Sequence, residues 1–138
     1  MHMTTILVIH DQKQMRSLLR AALDGDGRKV LEASNGRLGL GLHRERSTVI
    51  IVTDILIPEM NGFELIGEFT RSFPDVKIIA MSGGMEMEDE VRATKLLEAR
   101  QTLQKPLDIR ELLTAVRDQQ FFLNSSAQTK QTHTTSSY

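Results

Sequence analysis

The sequence predicts an α/β domain: a doubly wound, five-stranded parallel sheet with helices on both faces. Three observations predict it. Short, β-branched apolar runs recur without alternating with polar residues, as strands covered on both faces do. Amphipathic stretches at helical spacing lie between them. Strand and helix patterns then alternate five times, and right-handed crossovers turn that alternation into a layered sheet.

The elements follow in chain order. Ile6-Leu7-Val8-Ile9 is the first strand, and Met15, Leu18, Leu19 and Ala22 give the first helix its apolar stripe. Lys29-Val30-Leu31-Glu32-Ala33 is a weaker second strand. The helix expected from Asn35 to Arg46 carries Gly39 and Gly41, each costing about 1 kcal/mol relative to Ala, which makes it the softest element. His43 on that helix is expected to be solvated. Val49-Ile50-Ile51-Val52 is the third strand; Leu65, Ile66, Phe69 and Phe73 stripe the third helix; residues 76–81 form the fourth strand. Met87 to Leu97 begins acidic and ends basic, which suits a helix dipole. The fifth strand, residues 99–104, is carried mainly by its position. In the last helix Asp108 and Glu111 form a capping box ahead of Ile109, Leu112, Leu113 and Val116.

One domain over residues 4–123 and a polar, disordered tail over 124–138 account for the 138 residues. The tail is Ser, Thr, Gln, Lys and His with almost no apolar residue to offset its ordering entropy. With no cysteine, disulfides, thiolate metal sites and a Cys nucleophile are excluded. A formal net charge of −1 and 4% aromatics argue against a dedicated nucleic-acid surface. No apolar run approaches the roughly 20 residues of a membrane helix. The start has no basic segment and only a short apolar run, so a cytoplasmic location is expected.

Ligands of doubly wound sheets bind at the carboxyl ends of the strands. The residues leaving those ends are His10 and Asp11, then Asp54, then Ser82 with Gly83 and Gly84, then Lys105 and Pro106. Two carboxylates, a hydroxyl and an amine therefore converge on one edge. Carboxylates about 5 Å apart repel by about 3 kcal/mol at an effective dielectric of 20, which a hard divalent cation such as Mg²⁺ relieves. A carboxylate is also a nucleophile towards phosphorus, and an amine and a hydroxyl suit the charge on the transferred oxygens. No nucleotide-binding glycine loop is present, and the second Asp of an aspartyl phosphatase is missing from Asp54-Ile55-Leu56.

On Ile6-Leu7-Val8-Ile9-His10-Asp11, Asp54-x-x-x-Pro58-x-Met60-x-Gly62, Met81-Ser82-Gly83 and Lys105-Pro106, the chain resembles the receiver domain of two-component response regulators. The resemblance covers Thr4 to about Gln120. It implies a flavodoxin-like strand order 2-1-3-4-5. Asp54 would take a phosphoryl group from a sensor histidine kinase or phosphotransfer protein. Asp11, Asp54 and the backbone carbonyl of Leu56 would hold Mg²⁺. Ser82 would bond the phosphoryl oxygen and Lys105 would pair with it, with a cis Lys105–Pro106 peptide. A changed surface on the helix of 87–97, the fifth strand and the last helix would meet a downstream protein. No turnover on other substrates, no direct nucleic-acid contact and no membrane contact are implied.

The sequence also departs from that pattern. Where two acids are usual, His10 precedes Asp11, so the phosphorylated site with Mg²⁺ and Lys105 sums to about zero rather than −1. Weaker Mg²⁺ binding is the expectation. Thr102 stands where an aromatic switch residue is usual, and Leu56 and Gly84 offer no side-chain polar group to orient a hydrolytic water, so slow phosphoryl loss is expected. A receiver that is no longer phosphorylated and serves only for docking is the alternative reading.

Overall fold

The computed structural model describes residues 5–46, 48–54, 62–82, 101–104 and 107–121. The elements are β1 (Thr5–Ile9), α1 (Lys13–Gly25), β2 (Lys29–Ala33), α2 (Gly36–Arg46), β3 (Ile50–Asp54), α3 (Gly62–Ser72), β4 (Lys77–Ser82) and β5 (Gln101–Gln104). Residues 109–121 form a C-terminal helix. The five strands are parallel in the order β2-β1-β3-β4-β5, as the resemblance implied. The helix expected at 87–97 and the tail lie outside the described residues.

The apolar runs form strands because both of their faces are covered. Leu7, Ile9, Ile51, Ile78 and Ala80 pack with Leu40, Leu65, Ile66 and Phe69, which places α2 and α3 on one face. Ile6, Val8, Ile50, Val52, Ile79, Met81 and Leu103 pack with Leu19, Leu23, Leu112, Ala115 and Val116, which places α1 and the C-terminal helix on the other. Burying one such aliphatic side chain stabilises by about 1.5–3 kcal/mol.

Several local expectations are corrected. The buried stripe of α1 is Leu19 and Leu23 with Met15 beside it; Leu18 faces solvent. β3 begins at Ile50, and Val49 is exposed. β5 begins at Gln101. Asp108 caps the last helix through the Arg110 amide, whose N–H donates to Oδ1 at 2.8 Å, and no bond returns from Glu111 among the described residues.

The largest correction concerns α2. The helix forms as expected despite Gly36, Gly39 and Gly41, and Asn35 caps it: the Leu38 amide donates to Asn35 Oδ1 at 2.9 Å. Gly39 is there for packing, since a Cβ at that position would stand 2.4 Å from Ile9 Cδ1. Gly36, Gly39, Leu40 and His43 form its buried stripe, so His43 is buried rather than solvated. Its ring meets Phe73 and Phe69 edge-on at centroid distances of 4.3 and 5.4 Å. Its Nδ1 accepts the Thr48 amide N–H at 3.2 Å and lies 2.8 Å from Thr48 Oγ1.

Burial lowers the His43 pKa below its ordinary 6.5. The unfolded chain therefore binds the proton more readily. Stability from the neutral ring is fully present above the ordinary value and is lost as the pH falls from there through the lowered folded-state value. Thermal melts from about pH 7.5 to about pH 5.5 should show a fall in Tm that His43→Gln flattens. Parallel curves for the two proteins would contradict this assignment.

On the other face of the sheet, also at the amino ends of the strands, the turn after α1 anchors the C-terminal helix. Asp26 is paired with Arg28 and with Arg117, which donates to Oδ1 at 2.7 Å, and Arg28 reaches Gln120 Oε1 at 2.9 Å. These guanidinium groups, Arg117 foremost, hold the Asp26 carboxyl below its ordinary value. The last helix is thereby held against the α1–β2 corner.

Candidate functional site

The parallel register places the site. Ile9 stands opposite Thr53, so the next residues, His10 and Asp54, are neighbours where β1 and β3 end. Each continues the parity of Val8 and Val52, so both side chains leave the same face of the sheet. His10 remains tied to the sheet edge, its amide donating to the Ala33 carbonyl at 3.0 Å. Both residues are 2% exposed. His10 Nε2 lies 3.2 Å from Asp54 Oδ2.

Asp11 turns out of the strand and is 40% exposed, with Oδ1 3.4 Å from His10 Nδ1. Ligand atoms of His10, Asp11 and Asp54 all lie within 4.8 Å of one another. Two of the three predicted metal ligands are therefore brought together. The third, the Leu56 carbonyl, lies outside the described residues. Ser82 ends β4, one residue beyond the Met81 that pairs with Asp54. It pairs with Gln104, the residue before Lys105. Its backbone is thus at the predicted edge, while Lys105 and the Lys105–Pro106 bond lie outside the described residues, as does Gly84.

The donor set suits a hard divalent cation. Two carboxylates from adjacent strand ends supply oxygen ligands, and one of them is open to solvent for entry. The imidazole is the unusual member. The Gln12 amide N–H donates to His10 Nδ1 at 3.1 Å, which occupies the lone pair on that side.

Sequence reasoning missed two supports of this corner. Arg16 donates to the His10 carbonyl at 2.8 Å and towards the Asp11 carbonyl at 3.4 Å, and its Nε pairs with Glu32 at 3.5 Å. Arg20 bonds the same Glu32 at 2.6 Å. The i, i+4 spacing of the two arginines on α1 was the available signal. Their shared target on β2 follows only from the fold. Gln12 contributes through its backbone, where the side-chain identity carries no signal.

Comparison with known proteins bears on the family and the fold. The family model of the response regulator receiver domain matches residues 6–117. The chain is 34% identical over 115 residues to the KDP operon transcriptional regulatory protein KdpE of Escherichia coli, covering 83% of this chain and 50% of that protein. It is 29% identical to sporulation initiation phosphotransferase F of Bacillus subtilis, covering 81% and 90%. The chain thus spans about half of the first relative and most of the second. A CheY-like receiver domain structure from Methanospirillum hungatei superposes with a TM-score of 0.84 at 22% identity, covering 91% of this chain and 99% of that one. At that identity it speaks for the fold alone. No helix among the described residues is long and apolar enough to cross a membrane.

Proposed function

Since this chain belongs to the receiver domain family of two-component response regulators, we propose that Asp54 is its phosphoacceptor and that a sensor histidine kinase or phosphotransfer protein is the donor. The convergence of buried Asp54 with Asp11 at one sheet edge carries this reading. An Asp54 carboxylate oxygen attacks the phosphorus of a phosphohistidine. The O–P bond forms, the N–P bond breaks, and the departing imidazole keeps the electron pair. Burial of Asp54 restricts the carboxylate and limits its contact with competing water.

Asp11 and Asp54 would hold Mg²⁺, with the Leu56 carbonyl assigned by resemblance. When bound, Mg²⁺ supplies positive charge against the phosphoryl oxygens and the paired carboxylates. Ser82 and Lys105 are proposed to bond the remaining phosphoryl oxygens. Arg16 holds the backbone turn that carries Asp11. Phosphorylation would then change the protein-binding surface formed by residues 87–97, β5 and the C-terminal helix, in one domain spanning residues 4–123. The activity is self-modification, with no turnover on other substrates, and the site is expected to work in the cytoplasm.

Incubation with acetyl phosphate and Mg²⁺ should add one phosphoryl group to the intact protein mass, and chelation of the divalent cation should suppress it. Asp11→Asn removes one of two charged ligands and should raise the Mg²⁺ needed for half-maximal loading by about tenfold or more. An unmodified mass at saturating donor and Mg²⁺ would favour the alternative, a receiver used only for docking.

A further inference from the structure

His10 has no part in the mechanism above, yet its ring lies against Asp54. Its two nitrogens are not equivalent. The Gln12 amide N–H points at Nδ1 from 3.1 Å, so Nδ1 offers its lone pair. Asp11 Oδ1 lies farther from that nitrogen, at 3.4 Å, so the bond from Gln12 places the single proton of a neutral ring on Nε2. That nitrogen is buried and lies 3.2 Å from Asp54 Oδ2, within reach but out of line for a well-formed hydrogen bond. Bonds at reacting groups commonly tighten from such geometry when the substrate arrives.

We infer that His10 is a positioning residue for the acceptor: its Nε2–H grips Asp54 Oδ2 and fixes the rotation of the carboxylate about its last bond. The inference rests on the reading of Asp54 as the phosphoacceptor. It assigns the imidazole a role opposite to metal ligation. A nitrogen that carries the proton has no lone pair for a cation, so the cluster of His10, Asp11 and Asp54 offers two carboxylate ligands and one donor. The donor stands where a second acid would add negative charge, so His10 orients Asp54 without repelling an incoming phosphoryl group.

Two measurements on the full chain test this. In two-bond proton–nitrogen spectra, His10 should show the Nε2–H tautomer, and it should keep that tautomer when Mg²⁺ or Zn²⁺ is added. An Nδ1–H tautomer, or a nitrogen shift that marks metal coordination, would overturn the inference. The second measurement is the rate of loading from acetyl phosphate at saturating Mg²⁺. In that step an Asp54 oxygen bonds to phosphorus and acetate leaves with the electron pair. His10→Phe should slow it by about tenfold, and His10→Gln, which retains an N–H, should stay within about threefold of wild type.

Equal rates for all three folded proteins would also overturn the inference. Should His10→Phe not fold, the tautomer and the His10→Gln rate decide. Failure of the wild type itself to load would instead overturn the assignment of Asp54, and the tautomer spectrum would still judge the contact of His10 with it.

Discussion

Asp54→Asn is expected to abolish covalent loading from acetyl phosphate, a loss of at least about 100-fold in rate, while the fold persists. The amide keeps the shape of the carboxylate and loses its nucleophilic charge. No other carboxylate in the described part of the site combines burial with a neighbouring acid: Asp11 is 40% exposed and has turned out of the strand. The variant should also bind Mg²⁺ more weakly, since one of the two clustered carboxylates is gone. Intact-mass time courses measure the first effect and a calorimetric titration the second. Residual loading at near wild-type rate would place the acceptor elsewhere.

The second large effect separates two glycines on one helix. Gly39→Ala should destabilise the protein by about 1–3 kcal/mol, because overpacking forces neighbouring side chains off their rotamers. The added methyl would lie 2.4 Å from Ile9 Cδ1 and 2.9 Å from Cγ1, and Ile9 is fully buried. Ile9 is also the residue before His10, so strain there bears directly on the site. Gly41→Ala, where nothing lies within 4 Å, should stabilise by about 0.5–1 kcal/mol through helix propensity and a less flexible unfolded chain. Denaturant midpoints of the two variants measure both. Shifts of the same sign would contradict the account of how α2 seats on the sheet.

These two cases show what the sequence made legible. β1 and β3 stood out because both faces of each are buried, which leaves an uninterrupted apolar run. Asp11 and Asp54 could be placed at one edge because parallel strands bring their carboxyl ends together. Much of α2 was obscured, since glycine at position 39 registers as a helix breaker and its real reason is a contact with Ile9, 30 residues earlier in the chain. The burial of His43 is hidden from the sequence for a similar reason. A single polar residue on a faint stripe carries no sign of Phe69 on α3 and Phe73 just beyond its end. The pairing of His10 with Asp54 needs the β1–β3 register, and Arg16 acts on backbone carbonyls, which no side-chain motif records.

The side chain that carries the phosphoryl group can be identified chemically. Borohydride reduces an aspartyl phosphate to homoserine, so protein loaded from acetyl phosphate, reduced and digested should yield a peptide with homoserine at position 54 and Asp retained at position 11. Homoserine at position 11, or a phosphoryl group recovered on an imidazole such as His10, would contradict the assignment of Asp54.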